Sequence, residues 1–511
     1  MIINRLVSLA AVIAGGLSSL QAAVTLASPF TNHAVLQRGI EIPVWGSAAA
    51  GEKVTVTFDG QNKSVTTGAD GRWLVKLASH QAGGPYELTI AGTNTITLTD
   101  VLVGEVWICS GQSNMEWTVK QSRDSEQEIA AANFPKLRHF AVEKKVSEQP
   151  VSTCGGTWTV CSPQTVGNYT AVGYFFGRKL VQELDVPIGL MHTSWGGTPA
   201  EAWTSRPALT STAPFTDAVS AWDKRVENFP AALEKYQKTM EQWAKDAATA
   251  KAEGKPEPKK PKAPEGKINQ NSPTALYNGM INPLVPYGIK GAIWYQGEAN
   301  VGRAKDYHAL LSLMIGDWRQ SFGQGDFSFY VVQLANFMER KPQPTDTGWA
   351  ALREAQYLTT TTVKNTGLAL AIDIGEAKDI HPKNKQDVGL RLALNALAKD
   401  YGKKIEYSGP IYKSMKIDGS NIVLSFDHLG GGLMVIGDTL TGFAIAGADK
   451  KFVWADAKIV GDTVVVSAAS ATAPTAVRYA WGDNPACSLS NKANLPAVPF
   501  RAAAPVQAAA P

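Results

Sequence analysis

Three turns, each following an apolar run, carry residues suited to chemistry. In VWICSGQSNMEW the run ends in Ser110, Gly111, Gln112, Ser113 and Asn114. A serine that attacks an ester needs exposure, a nearby base and backbone N–H groups free to hold the developing oxyanion. A strand-to-helix turn supplies the first and the last of these. On its own the motif is equally a capping serine. In GLMHTSWGGTPAEAW, Gly196 and Gly197 follow a strand, where glycine lets an N–H approach a ligand; an ordinary tight turn uses the same pair. In IKGAIWYQGEAN, Gln296 offers an amide donor for an oxyanion. Glu298 reads three ways: as an acid or base for glycoside hydrolysis, as a substrate contact, or as a residue that orients its neighbours.

A nucleophilic serine requires a base, and the chain has seven histidines. His33, His80 and His428 fall in β-rich regions, and His139 and His308 sit in segments without neighbouring glycines or catalytic partners. His192 precedes the Gly196 turn and ranks second. His381 ranks first. It lies in AIDIGEAKDIHPKNKQDVG, a polar loop after an apolar strand, with Pro382 behind it and Asp379 two residues before it, where a carboxylate would orient the imidazole.

These loops need a scaffold that brings distant strand ends together. From Val101 to about Asp400, short apolar runs alternate with helical segments such as AVGYFFGRKLVQEL, which predicts an α/β unit with a mostly parallel sheet and a site outside its carboxyl edge. Residues 24–100 alternate as VTVTF, RWLVKL and YELTI and predict a small antiparallel β domain. Strand patterns return over 406–501 and predict a sandwich with, or beside, the first. The α/β unit, 101–405, is interrupted at about 208–270 by a helical excursion that runs into AEGKPEPKKPKAPEGK, a segment too rich in Lys and Pro to pack. Residues 502–511 read as a disordered tail.

Arg5, an apolar run from Leu6 to Gly16 and small residues at Ala22 and Ala23 predict a cleaved export signal over 1–23, and hence a periplasmic or secreted protein. No later run is long enough to span a membrane. In an oxidising compartment Cys154 and Cys161, which bracket GGTWTV, could close a short disulfide, the alternative being four reduced thiols. Lys plus Arg number 49 against 45 Asp plus Glu, a near balance that excludes a nucleic-acid footprint.

Taken in order, GQSNMEW, SWGGTPAEAW, LYNGMINPL, WYQGEAN, DIHPKNKQDVGLRLA and VRYAWGDNPACSLSNKANLPAVPFR resemble the sialate O-acetylesterase family of the SGNH (GDSL-type) hydrolases, over residues 25 to 501. The resemblance implies a flavodoxin-like, three-layer α/β/α catalytic domain with β-sandwich accessory regions and no metal or organic cofactor. It implies Ser113 as nucleophile, His381 as base, and an oxyanion hole from the N–H groups of Ser113 and Gly197 plus a third-block side chain. That last donor is asparagine in many relatives and Gln296 here. The family's D-x-x-H spacing would place an aspartate where this chain has Lys378, so the acid is read as Asp379, the alternative being a backbone carbonyl behind a Ser–His pair.

The implied substrate is an O-acetylated sugar, sialic acid or an acetylated plant glycan such as xylan or xyloglucan. Arg303 is a candidate partner for a sialate carboxylate, and Trp117, Trp195, Trp203 and Trp294 are candidates for stacking on sugar faces. Two competing classes stand beside this reading: a non-catalytic glycan-binding protein, and a glycosidase built on Glu298.

Overall fold

The computed structural model describes residues 23–504; the expected leader at 1–22 and residues 505–511 lie outside the described residues. The N-terminal strands are β1 Thr25–Leu26, β2 Val35–Gln37, β3 Ile42–Ser47, β4 Lys53–Phe58, β5 Gln61–Thr66, β6 Arg72–Leu77 and β7 Gly83–Ala91. Alternate residues of β4 and β6 are buried, the period-two signature of strands with one covered face.

Strand β8, Thr95–Gly111, departs from the expected division at residue 100. Its first part pairs antiparallel with β7, and its last part enters the central sheet. Asp100 reads as a strand terminator because it is a turn-forming residue, and here it adopts φ 54°. The strand nevertheless continues, because the Asp100 carboxylate is held by Arg138 Nη1 at 2.6 Å and by His33 Nδ1 at 2.7 Å.

The central sheet adds β9 Phe134–Ala141, β10 Trp158–Cys161, β11 Ile188–His192, β12 Gly291–Tyr295, β13 Ser328–Val332 and β14 Thr366–Ala369. Its order is β10-β9-β11-β8-β12-β13-β14, parallel throughout except for β10 on β9. The helices are α1 Ser113–Glu116, α2 Ser125–Ala130, α3 Ala171–Leu184, α4 Arg206–Thr210, α5 Phe215–Ala252, α6 Ala304–Phe322, α7 Gly348–Thr362 and α8 Lys385–Lys399.

Helices cover both faces, which is why the strands read as unbroken apolar runs. Val106, Ile108 and Trp294 share a core with Trp318 of α6 and Leu352 of α7. Trp107, Cys109 and Ile293 share the other with Phe176 of α3 and Leu392 of α8. After β8 the chain builds β9 and β11 on one side of that strand and β12 to β14 on the other. The point where the strand order reverses, the usual place for a site in an open α/β sheet, is therefore the carboxyl end of β8.

Within the insertion, α5 buries Phe215 and Val219 near its start and is otherwise largely exposed. The Lys/Pro-rich return lies against it, with Trp243 Nε1 donating to the Pro258 carbonyl at 2.8 Å.

The C-terminal strands are β15 Ile411–Asp418, β16 Asn421–Asp427, β17 Leu433–Val435, β18 Phe443–Ala446, β19 Val453–Trp454, β20 Asp456–Val460, β21 Thr463–Ser467, β22 Ala476–Tyr479, β23 Leu489–Asn491 and β24 Phe500–Ala503. Sheets β15-β16-β21-β20 and β19-β18-β22-β24 enclose a separate core that includes Leu424, Val464, Ile445 and Val477. This sandwich stands apart from the N-terminal sheets. The expected tail is corrected at its start: Ala502 and Ala503 pair with Val477 and Ala476.

The expected disulfide is corrected as well, since both cysteines are free. Cys154 packs with the core on the α6 side, whereas Cys161 is buried in the core on the α3 side. A sheet separates two thiols that are only seven residues apart in sequence.

Candidate active site

Ser113 begins α1 directly beyond β8. The turn depends on Gly111, whose φ of +134° and 2.1 Å approach of a would-be Cβ to the Tyr295 carbonyl leave no room for a side chain. His381 arrives from the edge strand β14, three strands away from β8, in the loop between β14 and α8. Its Nε2 lies 2.9 Å from Ser113 Oγ, across 268 residues of sequence. Arg391 anchors the base of that loop by a two-pronged pair to Asp373, at 2.6 and 2.7 Å. The His381 ring stacks on Trp117, with centroids 5.0 Å apart and planes 14° apart. Trp117, half-buried, therefore backs the imidazole with one face of its ring.

Asp379 acts mainly on the backbone of the His381 loop. Its Oδ1 accepts the His381 N–H at 2.9 Å and stands 3.5 Å from Nδ1, close enough for charge but beyond a good hydrogen bond. Burial first, and the Lys385 ammonium second, lower the imidazole's proton affinity below its ordinary value; Asp379 pulls the other way. The ring is thereby kept as a neutral base.

The second turn stands beside the hydroxyl, where a Cβ on Gly196 would come within 3.3 Å of the Ser113 Cβ. Gly197 takes φ +75°, a conformation natural to glycine. Among the described residues neither the Ser113 nor the Gly197 N–H has a hydrogen-bond partner, so both are free for an oxyanion.

Gln296 departs from the expected role. Its Nε2 donates to the Thr198 carbonyl at 3.1 Å and to Asn300 Oδ1 at 2.7 Å, and its Oε1 accepts from Tyr307 at 2.6 Å. The fully buried amide thus holds up the Gly197 turn from behind and has no donor left for substrate.

Other expected contacts are also relocated. Trp203 and Trp294 are fully buried and belong to the core. Trp195 is partly covered by Lys144, whose Nζ lies 5.2 Å from the ring centre. Arg303 pairs with Glu201 at 2.9 Å. Glu298 accepts from Asn114 Nδ2 at 2.7 Å with one carboxylate oxygen, and the other is buried without a partner.

Three residues escaped the reading of the sequence. Asn114 joins three loops, because its Nδ2 also donates to the Ile380 carbonyl at 3.0 Å and its Oδ1 accepts from Lys385 Nζ at 2.6 Å. A lysine at a helix N-terminus opposes the helix dipole, a signal that Lys385 has another task. Glu116, from the same GQSNMEW block, accepts the Gly196 N–H at 2.6 Å and pairs with Lys144. Glu116→Gln weakens this charge-assisted bond and loosens the turn that presents the Gly197 N–H. It is expected to lower kcat roughly tenfold to a hundredfold with KM near wild type, measured by steady-state acetate release.

A hydroxyl, an imidazole and two unpaired N–H groups meeting at the carboxyl edge of a parallel sheet define an ester hydrolase. A family model described as carbohydrate esterase, sialic acid-specific acetylesterase, matches residues 103–251 and 264–398. Sialate O-acetylesterase of Rattus norvegicus is 32% identical over 93% of this chain and 94% of that protein. The Homo sapiens sialate O-acetylesterase is 31% identical over 76% of this chain and 74% of its own. The crystal structure of a carbohydrate acetylesterase from Xanthomonas citri is similar with a TM-score of 0.80 and 39% identity, covering 94% of this chain and 99% of that one. The chain belongs to the sialic acid-specific acetylesterase family of carbohydrate esterases.

Proposed function

We propose that this chain hydrolyses O-acetyl esters on carbohydrates through a Ser113 acetyl-enzyme, in an SGNH-type catalytic unit. The observation that carries the reading is the 2.9 Å contact between Ser113 Oγ and His381 Nε2. In the first step His381 takes the Ser113 proton while Oγ attacks the acetyl carbonyl. The N–H groups of Ser113 and Gly197 hold the oxyanion, and the sugar alkoxide leaves with the proton returned by His381. Water then attacks the acetyl-enzyme with His381 again as base, and acetate departs as Oγ regains its proton.

The family's relatives point to O-acetylated sialic acid. A second reading, neutral acetylated plant glycans such as xylan or xyloglucan, is favoured by one observation: Lys144, beside Trp195, and Arg303, beyond β12, are each engaged by a carboxylate. A sialate carboxylate would have to compete for them. Incubation with 9-O-acetyl sialic acid and with acetylated xylan and xyloglucan oligosaccharides is expected to release acetate without shortening any chain. Acetate from the sialate alone supports the first reading, and acetate from the neutral glycans alone supports the second. Shortened chains without acetate would instead indicate a glycosidase using Glu298, and no product at all a binding protein.

Export is part of the proposal and rests on the basic, apolar, small order of residues 1–23. N-terminal sequencing of the protein from a periplasmic or culture fraction is expected to start next to Ala23. A chain found intact inside the cell would refute it.

A further inference from the structure

Behind the Ser113–His381 pair lies a charged group that the mechanism above does not use. Lys385 is the first residue of α8 and is completely buried. Its ammonium donates to Asn114 Oδ1 at 2.6 Å and faces two aromatic rings, with centroids 5.8 Å away at Trp117 and 5.5 Å away at Tyr295. A buried ammonium is costly unless its surroundings use the charge. Here the surroundings are the catalytic pair itself. Asn114 follows the nucleophile, and its amide nitrogen holds both Glu298 and the carbonyl of Ile380, the residue before His381. Trp117 carries the imidazole on its ring.

We propose that Lys385 is a positioning residue that holds the His381 loop in register with Ser113, through its hydrogen bond to Asn114 and the charge it places behind the pair. This rests on Ser113 and His381 being the catalytic pair. The groups that bear on the imidazole are Ser113 at the start of α1, Trp117 just past its end, Asp379 on its own loop, and Lys385 on α8. Those that bear on the ammonium are Glu298 beyond β12, and Asp379 and Glu376 from the His381 loop. Burial outweighs all three carboxylates and brings Lys385 down to about 7, while the same burial raises Glu298.

The sign follows directly. A positive neighbour penalises the imidazolium, so its removal raises the proton affinity of His381 and moves the acid limb of kcat/KM to higher pH. Lys385→Met, which keeps an apolar stem of similar length, is expected to shift that limb upward by about half to one pH unit. Lys385→Arg keeps the charge and is expected to leave the limb within about 0.2 unit of wild type. An unmoved limb in folded Lys385→Met would overturn the proposal, even if activity fell, because a purely structural role lowers the whole profile without displacing it.

Histidine Cε1 NMR titrations read the same shift without turnover, with His381 assigned by its absence in His381→Gln. They keep the test separate from the assignment of Ser113, because loss of the Ser113 mechanism would leave the resonance free to move. If Lys385→Met does not fold, the wild-type protein still decides. A 15Nζ lysine titration is expected to show one amine with a step at the His381 midpoint, and a curve with no such step refutes the coupling.

Discussion

Ser113→Ala is expected to abolish acetate release to within roughly one part in 10⁶ of wild type, the loss seen when the nucleophile of a Ser–His unit is removed. The substitution deletes Oγ and leaves the backbone N–H that faces the oxyanion. A small residual rate above that of water is therefore expected from the Ser113 and Gly197 donors. Stability should hardly change. The hydroxyl is half-exposed, and among the described residues its one side-chain partner is His381. A Tm within about 2 °C of wild type, with unchanged circular dichroism, would show that the loss is chemical. An alanine variant that still turned over an activated acetyl ester at the wild-type rate would place the nucleophile elsewhere and dismiss the His381 contact as packing.

Arg353→Ala is expected to be the most damaging substitution for stability. Arg353 lies on α7 and is 1% exposed. Its Nε donates to the Leu334 carbonyl at 2.8 Å, one Nη to Gly482 at 2.6 Å, and the other to Ala335 at 2.8 Å and Asp483 at 2.9 Å. The first and third of these carbonyls belong to the segment after β13 and the others to the C-terminal region, so a single guanidinium joins the two units. Burial pulls its proton affinity down, but four carbonyl acceptors require the donors of the charged form. Truncation strands those carbonyls and leaves a cavity. Part of this cost is offset because the desolvated charge disappears as well. A net loss of about 3–5 kcal/mol is expected, read from the midpoint of urea unfolding. A loss below about 1 kcal/mol would show that water replaces the guanidinium at no cost. Activity should fall too, because Asp483 also accepts from the Phe337 N–H, and neighbouring Asn336 holds Gly375 of the His381 loop at 2.6 Å.

Much of the site was legible in the sequence because catalysis of this kind sits at strand ends, and strand ends are visible as apolar runs that stop at glycine. Ser113, Gly196, Gly197 and His381 were found that way. What escaped is set by direction. Gln296 sits where a donor is needed, but Thr198 and Asn300 turn its amide inward, and neither is next to it in sequence. Arg303 and Trp117 lie near the motifs, yet Glu201 claims the first and His381 the second. Cys154 and Cys161 are neighbours along the chain and strangers across the sheet. Asn114 and Lys385 lie inside the quoted motifs without a role that their types announce, and their meaning emerges only when residues about 270 positions apart come into contact.

The long strand β8 changes what the N-terminal region can be. Its backbone stays paired with the N-terminal strands as far as Gly104, joins β11 from Glu105 and ends two residues before the nucleophile. The first hundred residues are therefore not a detachable ornament. Trimming them would withdraw the partners of the rail along which Ser113 is delivered, and a shortened chain beginning at Val101 should lose its catalyst along with its accessory.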